Sequence, residues 1–182
     1  MKALDKYLQA VRIGKAKKYI NKGDTVLDIG SVDGVMFESW KGYISKGIGV
    51  DPTLNEVIKT DFYELYPGYF PDACPTDMKY NAITLLAVLE HIPTNQQKIL
   101  AENCFKYLVP GGKLIITVPS PQVDQILEIL LKLRLIEGMS LEEHYGYKPE
   151  DTERIFAAPL FKLLKKEKFQ FGLNNLFVFE RI

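Results

Sequence analysis

A glycine-rich turn follows a short apolar run near the N-terminus. The run Thr25–Gly30 is too short for a helix and rich in strand formers, so it predicts a buried strand. Asp28 and Gly30 end this strand, and Gly34 opens the next segment. Glycines let the backbone approach a ligand closely, and the start of a following helix offers free N–H groups. The pattern therefore indicates a site for an anionic or zwitterionic cofactor, with a plain structural turn as the alternative.

A second candidate ligand follows the next apolar run. The run Gly47–Asp51 predicts a strand that ends in a carboxylate about 20 residues after the glycine turn, a spacing that suits hydrogen bonds from Asp51 to the two hydroxyls of a ribose. An aspartate that only begins a turn before Pro52 is the structural alternative. A nicotinamide dinucleotide would be served equally well by both features, so these residues alone leave the identity of the cofactor open.

Four motifs in order turn this pattern into a family resemblance. They are VLDIGSVDG, GVDP, YNAITLLAVLEHIP and LVPGGKLIITVPSP. Their order and spacing, over roughly residues 20–120, resemble those of class I S-adenosylmethionine-dependent methyltransferases. The resemblance implies a Rossmann-like three-layer α/β sandwich. Its sheet would have seven mostly parallel strands and an antiparallel hairpin at the C-terminal edge.

The same resemblance implies a set of S-adenosylmethionine ligands. In chain order they are Asp28, Gly30, Ser31 and Gly34 for the methionine portion, Asp51 and Pro52 for the ribose, Asp61 and Phe62 for the adenine, and Leu86 and Ala87 as backbone lining. Asp61 is assigned because it stands just after the predicted third strand, and a simple turn aspartate is its alternative. We expect S-adenosylmethionine as the cofactor and no metal ion.

The glycine turn departs from the family pattern at one position. Val32 stands where the family has its middle glycine. A β-branched side chain has less conformational freedom than glycine. We therefore expect either a different turn or a narrower space beside the cofactor, with the fold itself unchanged.

Two histidines are the candidate catalytic residues. The methyl group of S-adenosylmethionine is already activated, so the protein mainly aligns the acceptor, and a hydroxyl or carbon acceptor also needs a base. His91 follows the predicted fourth strand, where a hydrogen bond at a helix start is the alternative role. His144 lies in the polar aromatic stretch EEHYGY, which we expect to form the substrate wall, with a solvated loop as the alternative.

The alternation of helical patterns with short apolar runs predicts an α/β fold. We expect helices over Leu4–Ile20 and Thr94–Leu108. The stretch Phe62–Tyr80 shows no clean period and is predicted to be an irregular loop. Beyond the two strands above, further parallel strands are expected over Val57–Thr60, Asn81–Leu86 and Lys113–Pro119.

The C-terminal part is predicted to contain two helices and a hairpin. The first helix covers Val123–Leu135 and the second ends by Lys166, so that Lys162, Lys165, Lys166 and Lys168 would form a solvated helix face. Contact of these lysines with an anionic substrate or RNA is the alternative. The hairpin would pair Phe169–Phe171 with Leu176–Glu180.

The composition fits a single soluble domain over residues 1–182. The 23 basic and 23 acidic residues cancel, which argues against a general affinity for nucleic acid. Cys74 and Cys104 fit neither a disulfide framework nor a paired metal motif, and we expect two free thiols. No run suits a membrane span and the N-terminus lacks the pattern of a secretory signal, so a cytoplasmic protein is expected.

The expected function is S-adenosylmethionine-dependent methyl transfer to a small or medium-sized metabolite, with an O- or N-acceptor favoured over carbon. A non-catalytic S-adenosylmethionine-binding accessory protein and an RNA methyltransferase are alternatives. A nicotinamide-dependent oxidoreductase is a third, but it accounts for neither LEHIP nor PGGKLIITVP. The sequence assigns neither the acceptor nor the oligomeric state.

Overall fold

The computed structural model describes residues 3–120 and 147–182. In the described ranges the helices are α1 Ala3–Lys17, α2 Val35–Ser39, α3 Thr94–Tyr107 and α4 Asp151–Ile155, with a single 3₁₀ turn over Leu89–His91. The strands are β1 Thr25–Ile29, β2 Lys46–Asp51, β3 Ile58–Lys59, β4 Tyr63–Pro67, β5 Tyr80–Leu86, β6 Leu108–Pro119, β7 Phe161–Phe169 and β8 Asn174–Arg181.

The strands form one sheet in the order β3-β4-β2-β1-β5-β6-β8-β7. The five strands from β4 to β6 in this order run parallel, while β8 is antiparallel to β6 and β7 is antiparallel to β8. This arrangement confirms the predicted Rossmann-like fold with a C-terminal antiparallel hairpin. The described sheet has eight strands instead of seven because the two-residue β3 pairs antiparallel with β4.

Two apolar clusters lie on the two faces of the sheet. The first contains Leu27 with Leu100 of α3 and Phe156, which follows α4. The second contains Val26 with Ile13 of α1 and, in addition, residues of α2. Because successive residues of a strand point to opposite faces, Val26 and Leu27 bury both sides of β1. The sheet therefore lies between two helical layers, and its central strands are covered on both faces.

The third parallel strand is not where the sequence predicted it. Val57–Thr60 was predicted to be a buried strand, but Ile58 and Lys59 are exposed and form only the short β3. The third parallel strand is β4, inside the stretch predicted to be an irregular loop. Only Tyr63 and Leu65 of β4 are buried, so the strand lacks the continuous apolar run of a central parallel strand.

The predicted helix ending by Lys166 is wrong. The helix α4 ends at Ile155, and the lysine-rich segment is the edge strand β7. Its pairing with β8 shifts register between Leu163 and Lys165, which marks a β-bulge. A bulge interrupts the alternation of inward and outward residues, so the sequence loses the period of two that identifies a strand.

The remaining described elements follow the predictions. The first helix and the Thr94–Leu108 helix are confirmed to within a few residues, and so are the strands at β1, β2, β5 and β6. The C-terminal hairpin is confirmed, although β7 begins eight residues earlier than its predicted start at Phe169. The predicted helix Val123–Leu135 lies outside the described residues.

Candidate cofactor site

A cavity of about 850 Å³ opens at the carboxyl ends of β1, β2 and β5. The first turn after each of these strands lines it, and residues of α1 and α3 complete the wall. In open α/β sheets ligands bind at the carboxyl edge of the strands, and small-molecule sites have volumes of about 300–1,000 Å³. The cavity therefore has the position and the size expected for a nucleotide-like cofactor.

The two glycines of the turn have different structural roles. Gly30 lines the cavity with a φ of 89°, and a Cβ added there would lie 2.4 Å from Cγ2 of Val88. Gly34 has a φ of 66° at the start of α2 but is not part of the cavity wall. A Cβ at Gly34 would lie 3.0 Å from the ring of Tyr63. Gly30 therefore shapes the site directly, whereas Gly34 shapes the turn behind it.

Val32 does not fill the space beside the turn. Its side chain is 56% exposed at the edge of the cavity. The following residue, Asp33, accepts a hydrogen bond at Oδ1 from the Val35 N–H at 3.1 Å and at Oδ2 from Nε2 of Gln9 at 3.2 Å. These bonds link the turn to the first turn of α2 and to α1. The side chain of Asp33, next to Val32, therefore stabilises the turn.

Asp28 is buried at the base of the cavity. Its Oδ1 accepts a hydrogen bond from the Thr84 hydroxyl at 2.6 Å. Burial raises the pKa of Asp28 to about 7, and the negative charges of Asp33 and Asp51 add to this effect, while the hydrogen bond from Thr84 opposes it. A carboxyl group with such a pKa is readily ionised by a cationic group placed against it.

Asp51 is fixed by the turn that follows β2. Its Oδ1 accepts hydrogen bonds from the backbone N–H of Thr53 at 2.7 Å and from the Thr53 hydroxyl at 2.5 Å. The residue is only 5% exposed, yet it lines the cavity together with Pro52. The carboxylate is therefore oriented before any ligand arrives, as a receptor for a pair of hydroxyls requires.

The structure does not place Asp61 and Phe62 in the cavity. Asp61 precedes β4 and is exposed, so it lies at the amino end of the strand, opposite to the cavity. Phe62 packs against the second apolar cluster. The assignment was wrong because it took Val57–Thr60 as the third strand. The loop after β4 reaches the cavity instead and contributes Phe70 and Asp72.

Several of the predicted residues do meet at the cavity. Ala87 has a φ of 61°, unusual for a residue with a Cβ, and its N–H donates to the Thr117 carbonyl at 2.9 Å. His91 also reaches the wall, whereas His144 lies outside the described residues. The predicted residues that line the cavity are Asp28, Gly30, Ser31, Asp51, Pro52, Leu86, Ala87 and His91.

Arg12 of α1 is a cavity residue that the sequence analysis missed. Its Nε atom is buried and has no hydrogen-bond partner among the described residues. Burial lowers the pKa of its guanidinium, and the charges of Glu90 and Asp5 oppose this. The signal in the sequence is its spacing of four residues from Leu8 and Ala16, which puts a cation on the apolar stripe of an amphipathic helix.

Comparison with known proteins identifies the family. A family model described as a methyltransferase domain matches residues 3–158. The chain belongs to this methyltransferase domain family. The membership confirms the resemblance seen in the four motifs, and it separates the chain from nicotinamide-dependent enzymes that share the glycine turn.

Named relatives agree with this membership. The chain is 28% identical over 134 residues to a ubiquinone biosynthesis O-methyltransferase of Paraburkholderia phytofirmans, a match that covers 69% of this chain and 57% of the relative. The chain therefore spans little more than half the length of this relative.

Solved structures share the fold. The magnesium protoporphyrin IX methyltransferase of Synechocystis PCC 6803, solved with bound S-adenosylhomocysteine, has a TM-score of 0.64 at 16% identity, with 97% of this chain and 83% of that chain covered. The N-methyltransferase NodS of Bradyrhizobium japonicum WM9 has a TM-score of 0.63 at 12% identity, with 97% and 94% covered.

The described ranges show neither a metal site nor a helix suited to span a membrane. Residues 3–120 and 147–182 contain no group of three or more histidine, cysteine, aspartate or glutamate side chains arranged to hold a metal ion. None of the helices described there has the length and apolarity needed to span a bilayer. Cys74 and Cys104 are both buried free thiols, and burial raises the pKa of each.

Proposed function

We propose that this methyltransferase domain binds S-adenosylmethionine in the cavity at the carboxyl edge and transfers its methyl group to a small or medium-sized acceptor. The observation that carries the proposal is the joint presence on the wall of one cavity of two buried carboxylates, Asp28 and Asp51, and of Arg12, whose Nε atom is buried. S-adenosylmethionine has an amino group, a ribose and a carboxylate, and each matches one of these three side chains.

The residues present fit the cofactor group by group. Arg12 would pair with the methionine carboxylate, which supplies the partner that its buried Nε lacks among the described residues. Asp28 would hold the amino group, and Asp51 would accept from the ribose hydroxyls. Asp72 takes over the part first given to Asp61, as the acceptor for the adenine amino group beside Phe70.

When bound, S-adenosylmethionine supplies a methyl group on a sulfonium that is already activated for transfer. The chain itself has to orient the acceptor in line and keep water out of the cavity. For a hydroxyl acceptor, His91 on the cavity wall is the candidate base that receives the proton. His144, the other candidate base predicted from the sequence, stays a prediction because it lies outside the described residues.

A hydroxyl-bearing metabolite is the acceptor we favour. The relative from Paraburkholderia phytofirmans is named as an O-methyltransferase, which supports an oxygen acceptor. A neutral hydroxyl also fits the zero net charge of the chain better than a nucleic acid does.

A calorimetric titration tests this proposal directly. The protein should bind S-adenosylmethionine and S-adenosylhomocysteine but not NAD. Asp51→Ala should weaken both interactions by about 30-fold or more, because it removes charge-assisted bonds to the ribose. Asp61→Ala, which removes an exposed carboxylate outside the cavity, is the matched control and should bind normally. Binding of NAD alone, or equal losses in both variants, would contradict the proposal.

A transfer assay separates an enzyme from an accessory protein. Radiolabelled methyl groups from S-adenosylmethionine should appear in a hydroxylated aromatic acceptor only when active protein is present. Cofactor binding without transfer to any of a panel of hydroxyl, amine and RNA acceptors would favour the non-catalytic alternative.

A further inference from the structure

The edge strand β7 carries lysines around two exposed leucines. Phe161 and Phe169 at its ends are buried, whereas nearly all of the side chains between them are exposed. Leu163 and Leu164 are adjacent and apolar, yet they are 37% and 43% exposed. The exposed lysines, called the β7 lysines below, are Lys162, Lys165, Lys166 and Lys168. The outer edge of this strand therefore presents clustered cations and apolar side chains to the surroundings.

The exposed apolar surface extends beyond the strand. Ile182 follows β8 and is 64% exposed, and its N–H donates to the Leu160 carbonyl at 3.1 Å, which places it beside the start of β7. Ala157, Ala158 and Pro159, just before this point, are exposed as well. Single exposed apolar residues are normal, but a group of them at one place marks an interaction site.

The register with β8 places the β7 lysines on both faces of the sheet. Lys165 pairs with Val178, a member of the second apolar cluster. Lys166 pairs with Phe177, a member of the first apolar cluster, and its Nζ lies 5.4 Å from the centre of that ring. Residues paired directly across two strands point to the same face. Cations therefore lie on either side of the strand, and the two leucines lie between them at its outer edge.

Acidic side chains cancel only part of this positive charge. Glu153 of α4 forms an ion pair with Lys166. Glu167 accepts a hydrogen bond from Nζ of Lys15 of α1 at 2.6 Å. This bond lowers the pKa of Glu167, and the charge of Lys165 lowers it further. The strand itself has four lysines and one glutamate, and α1 adds a further lysine beside it, so the edge stays positive although the whole chain is neutral.

An anionic membrane surface matches this arrangement. A protein docked on one face of the sheet would contact the lysines of that face alone, and a second copy at this edge would bring lysines against lysines. A planar surface that meets the sheet edge-on faces the lysines of both sides and the leucines together. A bilayer with anionic lipids offers charged headgroups for the cations and acyl chains beneath them for the apolar side chains. RNA offers phosphates but no apolar layer.

We propose that the outer edge of β7, with the β7 lysines around Leu163 and Leu164, binds the surface of membranes that contain anionic lipids. The inference goes beyond the proposed function and does not depend on it. Each lysine held near an anionic bilayer should strengthen binding about fivefold. The leucines should add an apolar contribution that salt does not screen.

Co-sedimentation of the full chain with lipid vesicles tests the proposal. Vesicles of phosphatidylcholine alone are compared with vesicles that also contain about one third phosphatidylserine. We expect binding to the anionic vesicles only, and weaker binding as the salt concentration rises. Lys162→Gln combined with Lys165→Gln should weaken binding about tenfold or more, and Lys162→Arg combined with Lys165→Arg should not weaken it. Leu164→Ser, which keeps the charge, should weaken binding about threefold.

A matched pair of lysines controls for the charge of the whole chain. Lys59 lies on β3 at the opposite edge of the sheet, and Nζ of Lys41 lies over the ring of Phe62, just before β4. Lys41→Gln combined with Lys59→Gln removes the same charge as the glutamine pair in β7 and should bind anionic vesicles like the wild type. Equal losses in the two pairs would show an unspecific attraction and overturn the assignment.

Four other results would also overturn it. They are no binding to anionic vesicles, equal binding to neutral ones, tighter binding to an RNA oligonucleotide than to the vesicles, and a dimer in sedimentation that Leu164→Ser dissociates. The melting temperature and the affinity for S-adenosylhomocysteine should stay unchanged in each variant, because the replaced side chains are exposed and lie outside the cavity. Failure of S-adenosylhomocysteine to bind would refute the proposed function and leave the vesicle result independent of it.

Discussion

The edge of the sheet at which the parallel strands end has two halves, one at β1 and β2 and one at β6 and β8, and they are built in different ways. At β1 and β2 the carboxylates of Asp28 and Asp51 are each fixed by a threonine hydroxyl of the chain. At β6 and β8, Oγ1 of Thr117 and Oδ1 of Asn174 have no hydrogen-bond partner among the described residues. The polar groups of the first half are charged and those of the second are uncharged, although Thr117 also lies within one of the four motifs.

Under the proposed function, the charged half is the one that recognises the cofactor. A cofactor shared by a whole family favours the same oriented charges in every member, and these charges can be arranged before the ligand arrives. Thr117 and Asn174 of the other half do not line the described cavity.

The largest expected effect concerns Asp28 and pH. The pKa of Asp28 is about 7 in the folded protein and near its ordinary value of 3.8 in the unfolded chain. Between these pH values the folded protein holds a proton that the unfolded chain has released. The free energy of unfolding should therefore fall by about 4 kcal/mol as pH rises from about 4 to about 7. Above this range Asp28 should contribute no further change.

Urea denaturation across this pH range measures the effect. Asp28→Asn should remove most of this decrease, and Asp61→Asn should retain it because that carboxylate is exposed. Parallel pH profiles for the wild type and Asp28→Asn would show that the cofactor half does not contain a strained carboxyl group.

A backbone change at Gly30 should have the next largest effect. Gly30→Ala forces a Cβ into the left-handed region and places it 2.4 Å from Cγ2 of Val88. We expect a loss of about 3 kcal/mol in the free energy of unfolding, from backbone strain and steric overlap together. Gly42→Ala is the control, because Gly42 has a φ of 73° and open space around its Cβ position. Equal losses in urea titrations of the two variants would contradict a tight contact at the cavity.

Replacement of Arg12 should lower binding more than stability. Arg12→Met keeps the apolar stem but removes the charge that Glu90 and Asp5 face, so the free energy of unfolding should fall by about 1 kcal/mol. Affinity for S-adenosylmethionine should fall about 30-fold, equivalent to about 2 kcal/mol, because the carboxylate loses its partner. Calorimetry and thermal denaturation measure the two quantities. Lys18→Met on the exposed side of the same region serves as control, and unchanged affinity in Arg12→Met would remove Arg12 from the site.

The smallest expected effect lies at the tip of the β7–β8 hairpin. Gln170 and Phe171 have φ values of 51° and 57°, and the Gly172 N–H donates to the Phe169 carbonyl. This turn favours glycine at both central positions, and the Phe171 side chain is fully exposed. Phe171→Gly should stabilise the protein by about 0.5 kcal/mol in urea denaturation without a change in cofactor affinity. A clear destabilisation would mean that the aromatic ring makes a contact the structure does not show.

The sequence predicts correctly those strands whose local residue pattern agrees with their position in the sheet. The strand ending in Asp28 and Gly30 and the strand ending in Asp51 were both found, because continuous apolar runs identify buried parallel strands. The third parallel strand was missed because only Tyr63 and Leu65 of β4 are buried. That one error placed the predicted adenine ligand at Asp61, outside the cavity, whereas the loop after β4 lines the cavity.

Other features depend on contacts between distant parts of the chain. Arg12 is 16 residues from Asp28 in sequence, and only the packing of α1 over the sheet brings it to the cavity. The positions of Thr117 and Asn174 on neighbouring strands depend on the pairing of β6 with β8, which no local spacing indicates. Spatial neighbours of this kind can be identified only when strand register is known.

The bulge in β7 determines which way the ends of the edge strand face. Phe161 and Phe169 are eight residues apart and would point the same way in a regular strand, yet Phe161 joins the apolar cluster with α3 and Phe169 the one with α1. The extra residue thus anchors the strand in both helical layers. If β7 slid by one position along β8, both rings would leave their clusters and lysines would turn inward, so the register of this edge strand is fixed. Its exposed lysines also disfavour pairing with another chain.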